Sequence, residues 1–305
     1  MQLYSLLRHI TGRLTKAAVD SPRLSAELLV AHALGVERQD LLKELLLRPE
    51  QKLAIEALAA IDRLTERRAA GEPAAYILGV KEFYGREFRV SPDVLIPRPE
   101  TELLIDAALE LCGKKDTTSN TARFADFGTG SGCIAITLAL ELPGWQGAAL
   151  DKSPATLRVA RENAHRLGAN ALHFTLADFA RPPLPESSLD ILASNPPYIS
   201  EHEYTKLSRE VRSFEPKSAL VPSLDGLPSR PAVDSGLNTA SGLEDIATII
   251  SQAERLLKNG GVLLVEIGCS QEKAVHGLFT APCWFSVEVR PDLAGLPRLL
   301  VAKKH

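Results

Sequence analysis

Paired cysteines, a surplus of basic residues and long apolar runs are all missing from this 305-residue sequence, and each absence removes a class of function. Cys112, Cys133, Cys269 and Cys283 form no CxxC pair and the seven histidines include no HExxH, so neither a disulfide framework nor a zinc site is indicated. Reduced cytosolic thiols are the expectation. Lysine plus arginine (35) does not exceed aspartate plus glutamate (38), and the net charge of −3 argues against a dedicated duplex-DNA binder. The start, "MQLYSLLRHITGRLTK", has no signal-peptide apolar region, and no run approaches the roughly 18 apolar residues of a membrane span. What is present is 45% hydrophobic residues, enough for one large domain and a small companion. A cytoplasmic globular enzyme is the class that remains.

The first seventy residues carry helical periodicity. Ser21 before Pro22 predicts an N-cap with proline at the first helical position, after which Leu24, Leu28, Leu29 and His32 fall near one face. "LLKELLLRPEQKLAIEALAAIDRLTERRAAG" continues the pattern to a stop at Gly71, which makes a small helical bundle. From Pro73 the aromatic and β-branched residues of "AYILGVKEFYGREFRVSPDVLIP", around Gly85, predict a hairpin connecting two domains. "PETELLIDAALELC" is a helix and "GKKDTTSNTA" a polar loop. From Arg123 onward "RFADF", "GAALD", "LHFTLAD", "LDILASN", "VLLVEIG", "WFSVEVR" and "PRLLVAKK" read as strands, interleaved with the helices "SGCIAITLALEL", "SPATLRVARENAHRLG" and "LEDIATIISQAERLLKNGG". This is a doubly wound α/β domain with a single seven-stranded, Rossmann-like sheet. "VPSLDGLPSRPAVDSGLNTAS", between Leu220 and Gly242, predicts a long flexible loop.

"FADFGTGSGCIAI" places Gly128, Gly130 and Gly132 at a strand-to-helix turn, where glycines let the backbone approach a ligand and the helix start offers free N–H groups. Asp151, at the end of the next strand, can take both hydroxyls of a ribose. The pair reads as a nucleoside-cofactor site. A dinucleotide fingerprint would put its third glycine one position later, where Cys133 stands, so no pyrophosphate needs a cradle. That favours S-adenosylmethionine, with Asp178 placed for the exocyclic amine of adenine and Phe179 for stacking on its ring.

"LASNPPYIS" leaves the following strand through Asn195, two prolines and Tyr198. Pro196 and Pro197 stiffen the chain and free the neighbouring carbonyls. An amide nitrogen is a poor nucleophile because its lone pair is delocalised, so it has to be held and desolvated. The Asn195 side-chain oxygen and the Pro196 carbonyl can each accept one N–H, and Tyr198 can cover the planar group. No charged base is required at the outset.

Taken together these stretches resemble the PrmC/HemK family, the glutamine N5-methyltransferases that modify the GGQ-motif glutamine of peptide chain release factors. The resemblance runs over nearly the whole chain, through the N-terminal helices, "GEPAAYILGVKEFYGREFRVSPDVLIPRPETE", "DFGTGSG", Asp151, "NPPYI" and "VRSFEPKSAL". It implies a helical substrate-docking domain at 1–75, a β-hairpin linker at 76–98 and a seven-stranded S-adenosylmethionine-dependent methyltransferase domain at 99–305. It implies cofactor contacts from Gly128, Thr129, Gly130, Ser131, Gly132, Asp151, Asp178, Phe179 and Asn195, glutamine binding by Asn195, Pro196, Pro197 and Tyr198, and no metal. Phe179 stands where some members carry tryptophan. The implied partner is a class 1 release factor, met by a monomeric cytoplasmic enzyme without direct contact to nucleic acid or membrane.

Other readings share parts of this pattern. Methyltransferases acting on the exocyclic amine of adenine in DNA also carry NPPY, but most of residues 199–305 are used by the sheet and its helices, which leaves no target-recognition domain. A sister family methylates a glutamine of a large-subunit ribosomal protein, and "IPRPETE" at 96–102 favours the release-factor branch over it. A non-enzymatic S-adenosylmethionine-binding regulator would not need NPPY. The Val221 to Ser241 loop is longer than the family's usual link and lies near the expected substrate mouth.

Overall fold

The computed structural model describes residues 2–112, 122–222 and 242–305, so the polar loop after Cys112 and nearly all of the loop between Leu220 and Gly242 lie outside the described residues. Two units form, Met1–Val80 with Ser208–Phe214 and Lys81–Leu207 with Glu215–His305.

In the first unit the helices are α1 (Leu3–Lys16), α2 (Pro22–Leu34), α3 (Arg38–Leu47), α4 (Ile55–Ala69) and α5 (Ala74–Leu78). Leu3, Leu7, Ile10 and Leu14 make one helical stripe on α1, and all four are buried. Helix α2 starts at Pro22, but Ser21 adopts φ 49° and its side chain makes no cap. Its buried face is Ser25, Ala26, Leu29 and Val30; Leu24 and His32 are exposed, contrary to the periodicity. The small side chains of Ser25 and Ala26 let α1 and α4 pack against this face instead. Arg68 of α4 is buried and donates to the Glu72 carbonyl at 2.9 Å and to Glu210 Oε2 at 2.8 Å, tying the short helix Arg209–Phe214 to this unit. Removing Glu210 would leave the buried Arg68 guanidinium short of a charged partner.

The hairpin is shorter than its composition suggests. Residues 74–78 form α5, closed by Gly79 at φ 74°, and only β1 (Val80–Phe83) and β2 (Arg86–Arg89) pair, through a turn in which Tyr84 and Gly85 are both left-handed. Tyr76 and Ile77, which gave this stretch its strand-like look, are buried from a helix.

After α6 (Glu102–Cys112) come β3 (Arg123–Phe127), α7 (Cys133–Glu141), β4 (Gln146–Asp151), α8 (Pro154–Leu167), β5 (Leu172–Leu176), β6 (Leu189–Ser194), α9 (Glu244–Leu256), β7 (Leu257–Glu266), β8 (Trp284–Pro291) and β9 (Pro297–Lys304). One sheet holds seven of the strands in the order β5-β4-β3-β6-β7-β9-β8, parallel from β5 to β7 and antiparallel beyond. Every residue of β6 is buried, as a central parallel strand covered on both faces requires. Ile246, Ile249, Ile250 and Ala253 of α9 cover one face, and Leu104, Ile105, Ile134 and Leu138 of α6 and α7 belong to the core of the other. Each of these leucine and isoleucine side chains contributes about 1.5–3 kcal/mol by leaving water.

"LKNGG" is not the end of a helix. Leu257 pairs with Leu189, so β7 begins there and Gly260 sits inside the strand at φ 74°. Helix α9 ends one residue earlier because Leu256 and Leu257, both fully buried, reach the core from two different elements. The chain leaves β3 toward β4 on one side and returns through β6 on the other, which opens a crevice at the carboxyl ends of these strands. Among the described residues no helix is long and apolar enough to cross a membrane.

Candidate active site

A cavity of about 280 Å³ occupies that crevice, near the lower end of the range for small-molecule sites (roughly 300–1,000 Å³). Its floor is the turn after β3. Gly128 (φ 70°) and Gly130 (φ 58°) line it, and a Cβ at either would meet no atom closer than 3.9 Å; the backbone there borders open space. Gly132 serves packing instead, since a Cβ on it would come within 2.7 Å of Ile136 and 3.3 Å of Ala160. Thr129 N donates to the Leu150 carbonyl at 2.9 Å, which ties the turn to β4. Asn163 of α8 donates to the Ser131 and Arg89 carbonyls, both at 2.9 Å, and fixes the same turn to β2.

Asp151 reaches the cavity from the end of β4 with both oxygens already engaged: Gly130 N donates to Oδ2 at 3.1 Å and Ser153 N to Oδ1 at 2.9 Å. Burial raises its pKa, and those two donors work against the rise. Below it Asp126, fully buried on β3, accepts from Thr129 Oγ1 at 2.6 Å and Ala135 N at 3.3 Å through Oδ2, while Oδ1 has no partner among the described residues. Burial lifts Asp126 to about 7 despite these bonds. Burial likewise pushes the Cys133 thiol, which lines the cavity, up to about 12, so it stays neutral.

From the end of β6, Asn195 enters the lining. Its Nδ2 donates to Thr101 Oγ1 at 3.0 Å, and the Thr101 hydroxyl donates to Glu266 Oε2 at 2.5 Å. Glu266 Oε1 accepts the Tyr198 hydroxyl at 3.1 Å. Thr101 and Glu266 are each 2% exposed. Burial raises the Glu266 pKa against hydrogen bonds from Thr101 and Tyr198 and the charge of Arg298. Gln271 donates to the Tyr198 carbonyl at 2.9 Å and holds that end of the NPPY turn. Buried Glu215 accepts Ile96 N at 3.1 Å and Arg98 Nη2 at 2.6 Å, fastening the segment that carries Thr101.

Of the residues expected from sequence, Gly128, Thr129, Gly130, Ser131, Asp151, Phe179, Asn195 and Pro197 meet on this lining; Gly132, Asp178, Pro196 and Tyr198 lie off it. Phe179 stacks on Phe127 with ring centroids 6.3 Å apart. Asp178 is exposed and its Oδ1 accepts Ala180 N at 2.8 Å, so it closes a turn rather than facing the cavity. Tyr198 donates its hydroxyl to Glu266 Oε1. Asp245, 8% exposed at the start of α9, lines the cavity together with Phe179. Burial lifts it to about 7, opposed by Lys152 and reinforced by Glu244 and Asp178. Sequence reasoning missed Asp245, Thr101 and Glu266. The visible signal was the lone carboxylate in the apolar strand "VLLVEIG".

Known proteins match this chain along its length. A family model described as the PrmC N-terminal domain matches residues 5–79, and one described as a methyltransferase domain matches residues 118–284. The release factor glutamine methyltransferase of Nitratidesulfovibrio vulgaris is 48% identical over 306 residues, covering 99% of this chain and 95% of that protein. Proteins of the same name from Koribacter versatilis (41%, 98% of this chain and 96% of that one) and Cereibacter sphaeroides (40%, 99% of each) are similar to it in the same way. With identities of this size across both domains, the chain belongs to the release factor glutamine methyltransferase family.

Proposed function

We propose that this protein transfers a methyl group from S-adenosylmethionine to the side-chain amide nitrogen of the GGQ-motif glutamine in class 1 peptide chain release factors. The observation that carries the reading is the meeting of the glycine turn, Asp151 and Asn195 on one cavity, in a chain with full-length relatives of that name. The lining suits the cofactor: open space over Gly128 and Gly130 for its amino-acid end, the Asp151 carboxylate for a ribose diol, and Phe179 with Asp245 for the base. When bound, S-adenosylmethionine supplies an electrophilic methyl group on a sulfonium.

The chain's own residues hold the nucleophile. Asn195 donates its NH₂ to Thr101, which leaves Oδ1 to accept one N–H of the glutamine amide; we assign the second N–H to the carbonyl of Pro196, the next residue, which lies just off the cavity lining. Two in-plane acceptors fix the nitrogen and leave its π face as the free direction. Both are neutral, so they hold the amide protons until the N–C bond forms and the methyl–sulfur bond breaks, when the nitrogen becomes acidic and gives up one proton. We take the enzyme to act as a monomer in the cytoplasm, where a role in translation termination would put it.

None of the lining comes from residues 1–75. We assign this helical domain to gripping the body of the release factor, with 76–98 as linker and 99–305 as the transfer domain. A contact of ordinary size needs about 800 Å² on each partner, more than a cavity rim supplies. Mass spectrometry tests the reading: release factor, large-subunit ribosomal protein and DNA are incubated in parallel with enzyme and S-adenosylmethionine. One added methyl group on the GGQ glutamine is expected; transfer to the ribosomal protein or the DNA alone overturns it.

A further inference from the structure

The three hydrogen bonds that join Asn195, Thr101, Glu266 and Tyr198 decide which end of the Asn195 amide faces the cavity. An asparagine side chain is nearly symmetric in shape, and turned over it would present NH₂ where the glutamine nitrogen needs an acceptor. A threonine hydroxyl has one proton. At Thr101 that proton goes to Glu266 Oε2 at 2.5 Å, so toward Asn195, at 3.0 Å, the hydroxyl can only accept. With its carboxylate ionised, Glu266 holds the arrangement, because one oxygen accepts from Thr101 and the other takes the Tyr198 hydroxyl at 3.1 Å. Thr101 and Glu266 are each 2% exposed, so these bonds run through buried groups.

We propose that Thr101 and Glu266 are positioning residues that lock the Asn195 amide with Oδ1 toward the substrate, and so select an amide N–H at the transfer site over a carboxylate or an amide oxygen. The inference rests on the proposed transfer to a glutamine amide. Glu266 reaches this point from the end of β7 and Thr101 from the turn before α6, so the lock joins two elements far apart in the chain to the NPPY turn. Neither residue needs to touch the substrate nitrogen, because both act through Asn195.

The test is a double-mutant cycle on the full-length enzyme with intact release factor, reading kcat, KM and S-adenosylmethionine affinity. Thr101→Val keeps the shape and removes the hydroxyl; kcat should fall roughly 10- to 100-fold, the equivalent of a buried polar group left unpaired. KM for the factor and cofactor affinity should stay within about twofold, and Thr101→Ser, which restores the hydroxyl, should recover most of the rate. In an Asn195→Ala background Thr101→Val should cost less than about twofold, because the group it positions is gone. Losses that simply multiply in the double variant, or wild-type turnover of Thr101→Val beside an impaired Asn195→Ala, overturn the lock and leave the site reading intact. Wild-type turnover of Asn195→Ala overturns the site reading itself. Should Thr101→Val fail to fold, Glu266→Gln decides the matter in the same cycle, since its NH₂ can donate to Thr101 and free that hydroxyl to turn Asn195 over.

Discussion

Asp151→Asn keeps the size of the side chain at the end of β4 and removes one acceptor, and the structure shows why that small change matters. Gly130 N and Ser153 N donate to different oxygens of the carboxylate, at 3.1 and 2.9 Å. An asparagine offers one oxygen and one NH₂, so whichever way it turns, one of these backbone donors faces another donor. A buried donor without a partner costs about 1–3 kcal/mol. Opposing this, burial already disfavours the Asp151 charge, so a neutral side chain recovers part of the loss. The two effects on folding nearly cancel, and the melting temperature should move by only a few degrees.

Binding has no such compensation. The charged carboxylate contributes roughly 1.5–3 kcal/mol to each hydrogen bond it accepts from a ribose hydroxyl. If the amide turns its NH₂ toward Gly130, the glycine turn shifts as well. Asp151→Asn should therefore weaken S-adenosylmethionine at least tenfold, and on the order of a hundredfold if both bonds are affected. Isothermal titration of the purified variant, beside its melting curve, reads both quantities. Affinity within twofold of wild type would mean that the cavity over Gly128 and Gly130 binds something without a ribose diol.

Other expectations follow from the same geometry. Asn195→Ala should lower turnover by roughly 10²–10³, as loss of one oriented polar group does, with far less change in cofactor affinity; near wild-type turnover sinks the assignment. Asp126 carries a folded pKa of about 7 against an ordinary 3.8, so between about pH 4 and 7 the folded chain keeps a proton that the unfolded chain releases. Its contribution to stability is thus full below about pH 4 and is lost as the pH rises through 7. Asp126→Asn should flatten the melting temperature over that window, and parallel profiles of variant and wild type would refute the titration. Leu46, Leu47 and Ile55 are 83%, 76% and 80% exposed on the N-terminal domain, on either side of the 48–54 connection. If the domain grips the release factor there, changing all three to serine should raise KM for the intact factor severalfold and leave a short GGQ peptide unaffected; equal KM values for intact factor tell against this face.

The strands were legible because each signal is local. Parallel strands covered on both faces must be short apolar runs, and β3, β4 and β6 are. The glycine turn and Asp151 could be found by position alone, at the ends of consecutive strands. One strand later the same positional rule picks Asp178, which lies off the lining with its Oδ1 accepting the Ala180 N–H, while Asp245, which is on the lining, arrives from α9 far along the chain. The helix α5 and the first residues of β7 were misread where tertiary burial of Tyr76, Ile77 and Leu257 overrides local preference.

What composition and spacing could not convey is which motifs touch. Glu266 interrupts an otherwise apolar strand, and a carboxylate 2% exposed in such a run has to have partners. Those partners are Thr101 and Tyr198, one from "IPRPETE" and one from "NPPY". Glu215 of "SFEP" does the same for the other end of that segment by accepting from Ile96 and Arg98. Stretches that read as separate signatures are halves of shared contacts, and each buried carboxylate, Glu266 and Glu215, accounts for why a proline-stiffened segment far away in the chain carries hydrogen-bond donors at the positions it does.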